Sequence, residues 1–523
     1  MAIVHVVKKN HYQDSMKLMQ ISQKLSGEPG VKNAAAIMAT EANLAMLRDA
    51  GLLEGMPEAT ANDLIVAVKA DSKEKAEEAV NMLDSLLAPP DAGAELTKKY
   101  KSLGSAYGAL PGANLVAVSL PGKFAKLEVG KAIDTGLHTF LFSDNLTIDE
   151  EIELKERARD RGLLVMGPGC GTAIVNGVGL GFANVLDRGP VGMVAASGTG
   201  LQEVSCLISN SGVGISHAIG VGGRDLSEDV GGIMTLEALK LLEADDKTEF
   251  LVLVSKPPSK TVVEKILSAI EASSKPAVIC FLGSDVNHGN GKTFFSSTLE
   301  DAAIGAIKIA GGDLGSIKGG AGWKKSADKL AKSLAPGQKY LRGLFSGGTL
   351  CYEAQKVLEP ILGGVYSNAP LNKEYKLKDS GKSVRHTCLD LGEEEFTVGR
   401  PHPMIDAQLR NERLVHEASR AEVGVILLDI VLGYVASPDP AGDILPAIKE
   451  AKKAAAKKGR KLAFVAHVCG TAKDPQGLGE QEKKLESEGV LIFPTNALAS
   501  RAAGYIASGG KTPAVKRDKG ENI

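Results

Sequence analysis

The sequence lacks the features of a disulfide-rich, membrane-spanning or nucleic-acid-binding protein. Its six cysteines stand far apart and form no CxxC pair, which excludes any zinc ribbon or dithiol motif that a sequence could reveal. No apolar run approaches the roughly 20 residues that are needed to cross a bilayer. A net charge of -2 gives no electrostatic reason to expect nucleic acid or an anionic membrane as a partner.

The first residues also lack the pattern of a secretion signal. The apolar stretch Ala2–Val7 is short, and no basic segment precedes it. The sequence therefore predicts a cytoplasmic protein, in which the reduced cysteines are small buried hydrophobic side chains. No metal site is expected.

Aromatic residues make up only 4% of the chain, with a single tryptophan, whereas glycine is abundant. The 60 glycines in 523 residues are about 11%, against a usual level of about 7%. Many of them cluster beside apolar runs, where a backbone can approach a ligand closely. A chain of this length is also too long for one hydrophobic core, so several domains are expected.

The order of apolar and amphipathic segments predicts an α/β protein. Residues 1–88 alternate between strand and helix and favour a small βαββαβ sandwich, which Pro89–Gly93 ends. From Ala113 onwards, strongly apolar strands alternate with helices, the pattern of parallel doubly wound sheets. The predicted domains lie at residues 1–88, 113–188, 189–330 and 339–510.

Two of the predicted units begin in the same way, which indicates a duplicated fold. The strand Val191–Ala195 runs into Ala196–Glu203, and the strand Tyr340–Phe345 runs into Ser346–Glu353. Each is a strand, a Ser/Gly/Thr turn and a helix that carries a glutamate in its first turns.

These two turns are the strongest candidates for binding an anion. The free N–H groups at a helix start and the helix dipole favour negative charge, and glycine permits close approach. The alternative is that the hydroxyls only cap their helices. Glu203 and Glu353 are the candidate catalytic residues, whose carboxylates either orient a ligand or improve the helix dipole. The predicted phosphate-binding residues are Ser197, Gly198, Thr199, Gly200, Ser346, Gly347, Gly348 and Thr349.

Other candidates follow predicted strands, at the sheet edge where ligands bind in open α/β folds. Arg224 leaves a glycine turn and could hold a carboxylate or phosphate, or merely pair with a nearby aspartate. His467 and Asp429 lie at the ends of two other buried strands, and a lone histidine there is more often a satisfied core group. Gly177–Gly181 is interpreted as a turn. The predicted substrate-binding residues are Gly169, Cys170, Arg224, Asp225, Arg400, His402 and His467.

The middle of the chain resembles the α subunit of succinyl-CoA synthetase. That family has a GPNCPG segment, a strand that ends in SGT with a glutamate on the next helix, and a GGD turn. The corresponding segments here are Met166–Gly171, Val191–Val194 with Ser197–Thr199 and Glu203, and Gly222–Asp225. Residues 340–510 look like the ligase half of the β subunit.

The resemblance implies a Rossmann-like domain of the CoA-binding type at 113–188, followed by two flavodoxin-like domains of the ligase type. In that family two opposed helix N-termini hold the phosphate of a phosphohistidine. Gly169 stands where the family has asparagine, which weakens the case for CoA. The histidine nearest to the expected position, His288, stands in a different sequence context, and no ATP-grasp segment is found.

The small N-terminal domain, the segment Gly399–Asp406 (GRPHPMID) and the segment Leu428–Tyr434 (LDIVLGY) are similar to FdrA proteins. That similarity implies a subunit of an oxamate carbamoyltransferase in allantoin breakdown, acting with two partner subunits. The reaction converts oxalurate and phosphate into oxamate and carbamoyl phosphate and requires neither CoA nor ATP. A homo-oligomer is also expected. Two alternatives remain, an NDP-forming acyl-CoA ligase and a non-catalytic scaffold.

Overall fold

The computed structural model describes residues 2–11, 13, 15–40, 43–44, 47–48, 50–87, 100–283, 292–317, 322–397 and 400–511. The chain divides into two compact units, residues 1–100 and 101–523. Among the helices of these described residues, none is long and apolar enough to span a bilayer. The predicted domain end at Pro89–Gly93 lies outside the described residues.

The first unit is a small antiparallel sheet with helices, as residues 1–88 predict. Its elements are β1 (Ala2–Lys8), α1 (Ser15–Ser26), β2 (Val31–Met38), β3 (Leu64–Ala70), α2 (Lys73–Asn81) and α3 (Leu83–Leu87). The strand order is β1-β3-β2, with both pairs antiparallel. A βαββαβ sandwich has four strands, and the described part of the unit contains three of them.

The second unit contains the α/β part of the chain. Its strands are β4 (Leu115–Val118), β5 (His138–Leu141), β6 (Val165–Met166), β7 (Thr172–Val175), β8 (Val178–Gly181), β9 (Arg188–Ala195), β10 (Ile215–Gly220), β11 (Phe250–Ser255), β12 (Ala277–Phe281), β13 (Thr293–Ser296), β14 (Tyr340–Phe345), β15 (Thr387–Asp390), β16 (Val423–Val431), β17 (Ala463–Cys469) and β18 (Leu491–Phe493).

Its helices surround these strands. They are α4 (Leu103–Ala109), α5 (Gly122–Thr135), α6 (Ile148–Arg159), α7 (Gly198–Asn210), α8 (Ile233–Ala244), α9 (Lys260–Ala272), α10 (Leu299–Ala310), α11 (Trp323–Ser333), α12 (Gly348–Leu362), α13 (Glu394–Thr397), α14 (Gln408–Ser419), α15 (Pro440–Lys457), α16 (Leu478–Ser487) and α17 (Asn496–Ala507).

The duplicated fold is confirmed by the strand order of the two larger sheets. The seven-stranded sheet runs β13-β12-β11-β9-β10-β7-β8, and the five-stranded sheet runs β15-β14-β16-β17-β18. Numbered within each repeat, β9–β13 and β14–β18 both have the order 2-1-3-4-5 of flavodoxin-like sheets, and all these pairs are parallel. The parallel strands β4-β5-β6 form a separate sheet.

The β7–β8 hairpin extends the first large sheet, where β7 pairs antiparallel with β10. The hairpin thus precedes residue 188, the expected domain boundary, but belongs to the sheet of the domain that follows it. Only Asn176 and Gly177 form its turn, so the interpretation of Gly177–Gly181 as a turn is wrong. The backbone reverses there because both residues adopt positive φ angles of 51° and 80°.

Apolar strands place both helix starts at the same edge of their sheets. All nine residues of β16 are buried, and so are the last five of β9, as expected for strands covered by helices on both faces. At the carboxyl end of β9 the chain turns through Ser197 into α7, and at the end of β14 it turns through Ser346 into α12. Ligands collect at this edge in open α/β sheets.

Candidate functional site

The two predicted turns face each other. The Ser197 hydroxyl oxygen lies 2.5 Å from that of Thr349. The Thr349 N–H donates to the Thr199 hydroxyl over 3.2 Å, and all three side chains are buried. The structure therefore brings the N-terminal ends of α7 and α12 together, one from each repeat.

The first turn leaves backbone donors free. Ser197 uses its hydroxyl to cap α7, accepting a hydrogen bond from the Gly200 N–H over 3.0 Å. Within the described part of the chain, the N–H groups of Gly198 and Thr199 have no acceptor. Gly198 is exposed, and a Cβ atom built there meets nothing within 4 Å. An anion could reach these N–H groups from solvent.

The second turn is already occupied by a carboxylate of the protein. Asp429 accepts hydrogen bonds from the N–H groups of Ser346 and Gly347 over 2.8 and 2.7 Å. Burial raises the pKa of Asp429, while Arg410, 3.0 Å away, acts against that rise. The expectation that Ser346 and Gly347 bind phosphate therefore needs correction, because their donors are satisfied internally.

A second carboxylate, Asp390, lies beside the start of α12. A Cβ atom on Gly348 would stand 2.4 Å from an Asp390 carboxylate oxygen. Burial raises the pKa of Asp390 to about 7; the cation of Lys256 opposes the shift and the charge of Glu393 adds to it. Asp390 can therefore exchange a proton near neutral pH. The N–H of Gly348 has no acceptor among the described residues.

His402 lies close to the Asp390 carboxylate, because a Cβ atom built on Gly392 would be near both side chains. Its Nε2 atom is 2.7 Å from where a Cβ atom on Gly392 would lie, and its ring is 5.7 Å from that of Phe182, between ring centroids. Burial lowers the pKa of His402 to about 4, so the ring is neutral at physiological pH. Arg400, in contrast, is exposed.

Gly169 and Arg224 share a groove of about 440 Å³, which Gly223 and Glu394 also line. Arg224 is half-exposed and pairs with the buried Glu151 over 2.8 Å. Glu394 begins α13, the short helix that follows β15, so the groove joins the edges of both large sheets. The structure thus supports a position for Arg224 at a ligand-accessible surface.

Two other predicted substrate residues are interior groups. The Asp225 carboxylate accepts hydrogen bonds from Lys155 and from Thr235, in a site where neither acid nor lysine is exposed. The Cys170 thiol contacts the carbonyl oxygens of Thr172 and Gly220, and burial raises its pKa to about 12. Both expectations are corrected, because neither side chain is free for a substrate.

The two glutamates cap helices of the opposite repeat. Glu203, on α7, accepts from the Asn496 N–H that begins α17, over 3.2 Å. Glu353, on α12, accepts from the Leu299 N–H that begins α10, over 2.7 Å. Burial, with the neighbouring Glu203 charge, raises the pKa of Glu353 to about 8. Both carboxylates therefore stabilise the contact between the repeats, which corrects their expected catalytic role.

His467 completes this interior network. Its Nε2 atom lies 2.7 Å from a Glu203 carboxylate oxygen, and its Nδ1–H donates to the Phe493 carbonyl over 3.0 Å. Burial alone would lower the pKa of His467, but the Glu203 charge and a hydrogen bond with Cys469 raise it well above its usual value. His467 is remote from solvent and forms an ion pair.

Sequence reasoning missed Asp390 and Lys256, and it did not predict that Arg410 pairs with Asp429. An aspartate at the end of a buried strand is a recognisable signal for Asp390, whereas Arg410 contacts Asp429 only through the tertiary fold. His288 and Gly399 lie outside the described residues. All six cysteines are free and buried, as predicted.

These features define a class: an α/β protein with two flavodoxin-like repeats whose helix starts face each other. Family models agree with that class. The CoA-ligase model matches residues 344–506, the CoA-binding-domain model 187–283, and the model "AllF, heavy metal-associated domain" 1–102. The CoA-binding match lies later in the chain than the segment 113–188 for which that type of domain is expected.

Known proteins place the chain in a family. It is 41% identical to the uncharacterized protein YahF of Escherichia coli K12 over 515 residues, 97% of this chain and 98% of YahF. The chain belongs to the succinyl-CoA synthetase-like family that includes YahF.

More distant relatives cover only part of the chain. A succinate–CoA ligase (ADP-forming) α subunit of Archaeoglobus fulgidus is 26% identical over 37% of this chain and 68% of that protein. The ADP-forming sulfoacetate–CoA ligase subunit SauD of Bilophila wadsworthia is 29% identical over 33% of this chain and 59% of SauD.

The family model that matches the first unit is described as a heavy metal-associated domain. Residues 1–102 contain no cysteine, so the thiolates that soft metals prefer are missing there. Among the described residues of this unit, no three metal-ligating side chains lie close together. The described residues of this unit therefore do not fit a heavy-metal ion.

Proposed function

We propose that this protein is an FdrA-type subunit of an oxamate carbamoyltransferase, which converts oxalurate and phosphate into oxamate and carbamoyl phosphate. One observation carries the proposal: the helix starts of the two repeats face each other, with free N–H donors at Gly198, Thr199 and Gly348. This arrangement suits a phosphate that must be held between donors while it reacts. The similarity to FdrA proteins and the AllF-type first domain support the same pathway, allantoin breakdown.

The phosphate would bind at the first turn. Gly198 and Thr199 supply two N–H donors from α7, and Gly348 supplies a third from α12. The carboxylate of Asp429 is neutralised by Arg410, and the raised pKa of Asp390, about 7, leaves this acid partly protonated at neutral pH. The nearby acids therefore do not exclude a phosphate anion.

Oxalurate would lie with its carboxylate towards the groove. Arg224 borders that groove, and its guanidinium can pair with a carboxylate while Glu151 holds its other side. Held in this way, the carbamoyl carbon can face the phosphate, and positioning supplies much of the rate enhancement.

The reaction balances without any cofactor. A phosphate oxygen forms a bond to the carbamoyl carbon, and the bond from that carbon to the oxamate nitrogen breaks. The proton of hydrogen phosphate moves to the departing nitrogen. Asp390 is the candidate group for this transfer, since its pKa of about 7 allows it to give and regain a proton. CoA and metal ions have no part in this scheme.

The experiment reconstitutes the chain with two partner subunits and measures carbamoyl phosphate formed from oxalurate and phosphate. Activity must require this chain, and Asp390→Asn must lower kcat while Arg224→Met raises the KM for oxalurate. Full activity in a mixture without this chain would instead make it a scaffold, and the proposal would fail.

The second candidate is an NDP-forming acyl-CoA ligase, which the CoA-ligase and CoA-binding family models favour. The ligase candidate predicts ATP formation from acyl-CoA, ADP and phosphate, and phosphate labelling of a histidine. Labelling that disappears in His288→Ala would support it. Under the carbamoyltransferase proposal, His288→Ala leaves activity unchanged and no ATP forms.

A further inference from the structure

Two pairs of side chains that are distant from each other in sequence meet in the interior. Glu203 and Cys206 stand three residues apart on α7, so they share a helix face. His467 and Cys469 stand two residues apart on β17, so they share a strand face. All four are buried, and together they line a cavity of about 180 Å³.

We propose that Glu203, His467 and Cys469 bind one zinc ion, with the fourth coordination position open to the cavity. The three ligand atoms all lie within 4.8 Å of one another. One carboxylate, one imidazole and one thiolate are donors that zinc accepts in proteins. Three protein ligands beside an open position are typical of zinc sites that bind water or a substrate.

The histidine is oriented as a metal ligand. Its Nδ1–H donates to the Phe493 carbonyl over 3.0 Å, so Nε2 carries the lone pair when the ring is neutral. Metal-binding histidines are held in this way, by a hydrogen bond from the ring nitrogen that does not bind the metal. Nε2 points at Glu203, 2.7 Å away.

The carboxylate is held in the same manner. One Glu203 oxygen accepts the Asn496 N–H over 3.2 Å, and the other faces His467. Two ligands on one tetrahedral zinc ion stand about 3.3 Å apart, given bond lengths of about 2.0–2.1 Å. The 2.7 Å contact between Glu203 and His467 must therefore open by only about 0.6 Å.

The cavity supplies the room that the open position needs. A water molecule occupies about 30 Å³ of liquid volume, so the cavity of about 180 Å³ holds a zinc-bound water or a small ligand. Cys206 contacts the Cys469 thiol and would stay beside the metal as a thiol. The half-buried Glu482, on α16, also lines the cavity.

No motif in the sequence reveals this site, because its ligands come from a helix of one repeat and a strand of the other. Zinc would therefore join α7 to β17 across the contact between the repeats. This inference is independent of the proposed function, since it concerns metal content and not catalysis.

The test uses the full-length chain, purified under reducing conditions, stripped with a chelator and reloaded with Zn²⁺ or Co²⁺. We expect one zinc per chain by mass spectrometry, and a Co²⁺ spectrum with a four-coordinate ligand-field pattern and the charge-transfer intensity of one thiolate. Cys469→Ala and His467→Ala should weaken zinc binding at least about a hundredfold, since even partners of metal ligands affect affinity by 10–100-fold.

The controls separate this site from others. Cys351→Ala removes an equally buried thiol from α12, away from the cavity, and should leave zinc binding unchanged. Cys206→Ala should keep the thiolate–cobalt band. A wild-type Co²⁺ complex without that band would overturn the proposal even where the variants fail to fold. Three further results would also overturn the proposal. The first is a charge-transfer intensity that corresponds to two thiolates, and the second is equal zinc binding by Cys469→Ala and wild type. The third is a Cys206–Cys469 disulfide in the reduced preparation.

Discussion

The two repeats place the same turn at the same point of the same sheet and surround it with different chemistry. In the first repeat, Ala195 at the end of β9 pairs with Gly220 and Val254. In the second, Phe345 at the end of β14 pairs with Asp390. The neighbouring pair Leu344–Leu428 puts Asp429 on the other side. A glycine and a valine thus flank the first turn, and two carboxylates flank the second.

The difference assigns separate roles to the two turns. At the second turn Asp429, whose charge Arg410 balances, occupies the N–H groups of Ser346 and Gly347, so only the Gly348 N–H is left for a ligand there. Among the described residues, no carboxylate accepts from the first turn, and the N–H groups of Gly198 and Thr199 have no acceptor. Duplication of one fold has thus given one half-site that binds the protein's own carboxylate and one that is free for a ligand.

The largest effect on stability is expected from neutralising Asp429, the carboxylate that binds the second turn. Asp429→Asn leaves the buried Arg410 without its ionic partner, and breaking a buried pair costs about 3–5 kcal/mol of unfolding free energy. Urea unfolding measures this loss. Asp187→Asn is the control, since Asp187 pairs with Lys473 at a half-exposed position, where such pairs contribute about 0–1 kcal/mol. Equal losses in both variants would contradict the supporting role of Asp429.

The second prediction concerns how the stability of the protein depends on pH through Asp390. The corresponding position in the first repeat is Gly220. Burial raises the folded-state pKa of Asp390 from 3.8 to about 7. Its contribution to stability is therefore fully present below about pH 4 and is lost as the pH rises through 7. Asp390→Asn removes this titration, so between about pH 4.5 and 6.5 wild type should lose about 3 kcal/mol relative to the variant. Parallel stability curves for the two proteins would show that the acid titrates normally.

The third prediction tests the open turn. Gly198→Leu places a side chain over the free N–H groups, and loss of such donors typically lowers a rate on the order of a hundredfold. Stability should stay within about 0.5 kcal/mol, as for surface changes generally, because Gly198 is exposed and a Cβ atom built there meets no atom within 4 Å. Carbamoyl phosphate formation and urea unfolding measure the two effects.

Its matched control is Gly479→Leu, at an exposed first turn of α16 where a Cβ atom also meets nothing within 4 Å. That variant should keep full activity. Gly347→Leu is no substitute for Gly198→Leu, since its side chain would approach Thr199 to 2.9 Å and Asp429 to 3.0 Å. Equal activity of Gly198→Leu and Gly479→Leu would reduce the first turn to an ordinary helix cap.

Sequence reasoning predicted the sheets better than the site, for a physical reason. The strand Tyr340–Phe345 is found at its predicted bounds, because Leu341, Leu344 and Phe345 supply the apolar surface that a strand between two helix layers requires, while the buried Arg342 pairs with Glu417. The start of α7 at Gly198 follows from local turn chemistry. In contrast, Glu203 reaches the start of α17 and Asp429 reaches the second turn only through tertiary packing. Their partners are 293 and 82 residues away, and no local pattern encodes such distances.

The smallest effect on stability and activity is expected from replacing Ser197 or Ser346 with alanine. The two serines occupy corresponding turns, but their hydroxyls form different hydrogen bonds. Ser197 caps α7 and contacts Thr349, whereas the Ser346 hydroxyl donates to Asp429 over 3.1 Å. Each serine-to-alanine change should cost about 1 kcal/mol of stability, from a lost cap or a lost hydrogen bond.

The two changes should separate in phosphate binding. In Ser197→Ala the backbone donors of Gly198 and Thr199 remain, so the KM for phosphate should rise by less than in Gly198→Leu. In Ser346→Ala the Asp429 carboxylate still holds the second turn through two N–H groups, and the KM should not change. Steady-state kinetics of the reconstituted complex, with phosphate varied, measures both values. A larger rise in Ser346→Ala than in Ser197→Ala would reverse the roles of the two repeats, because phosphate would then bind at the turn that Asp429 fills.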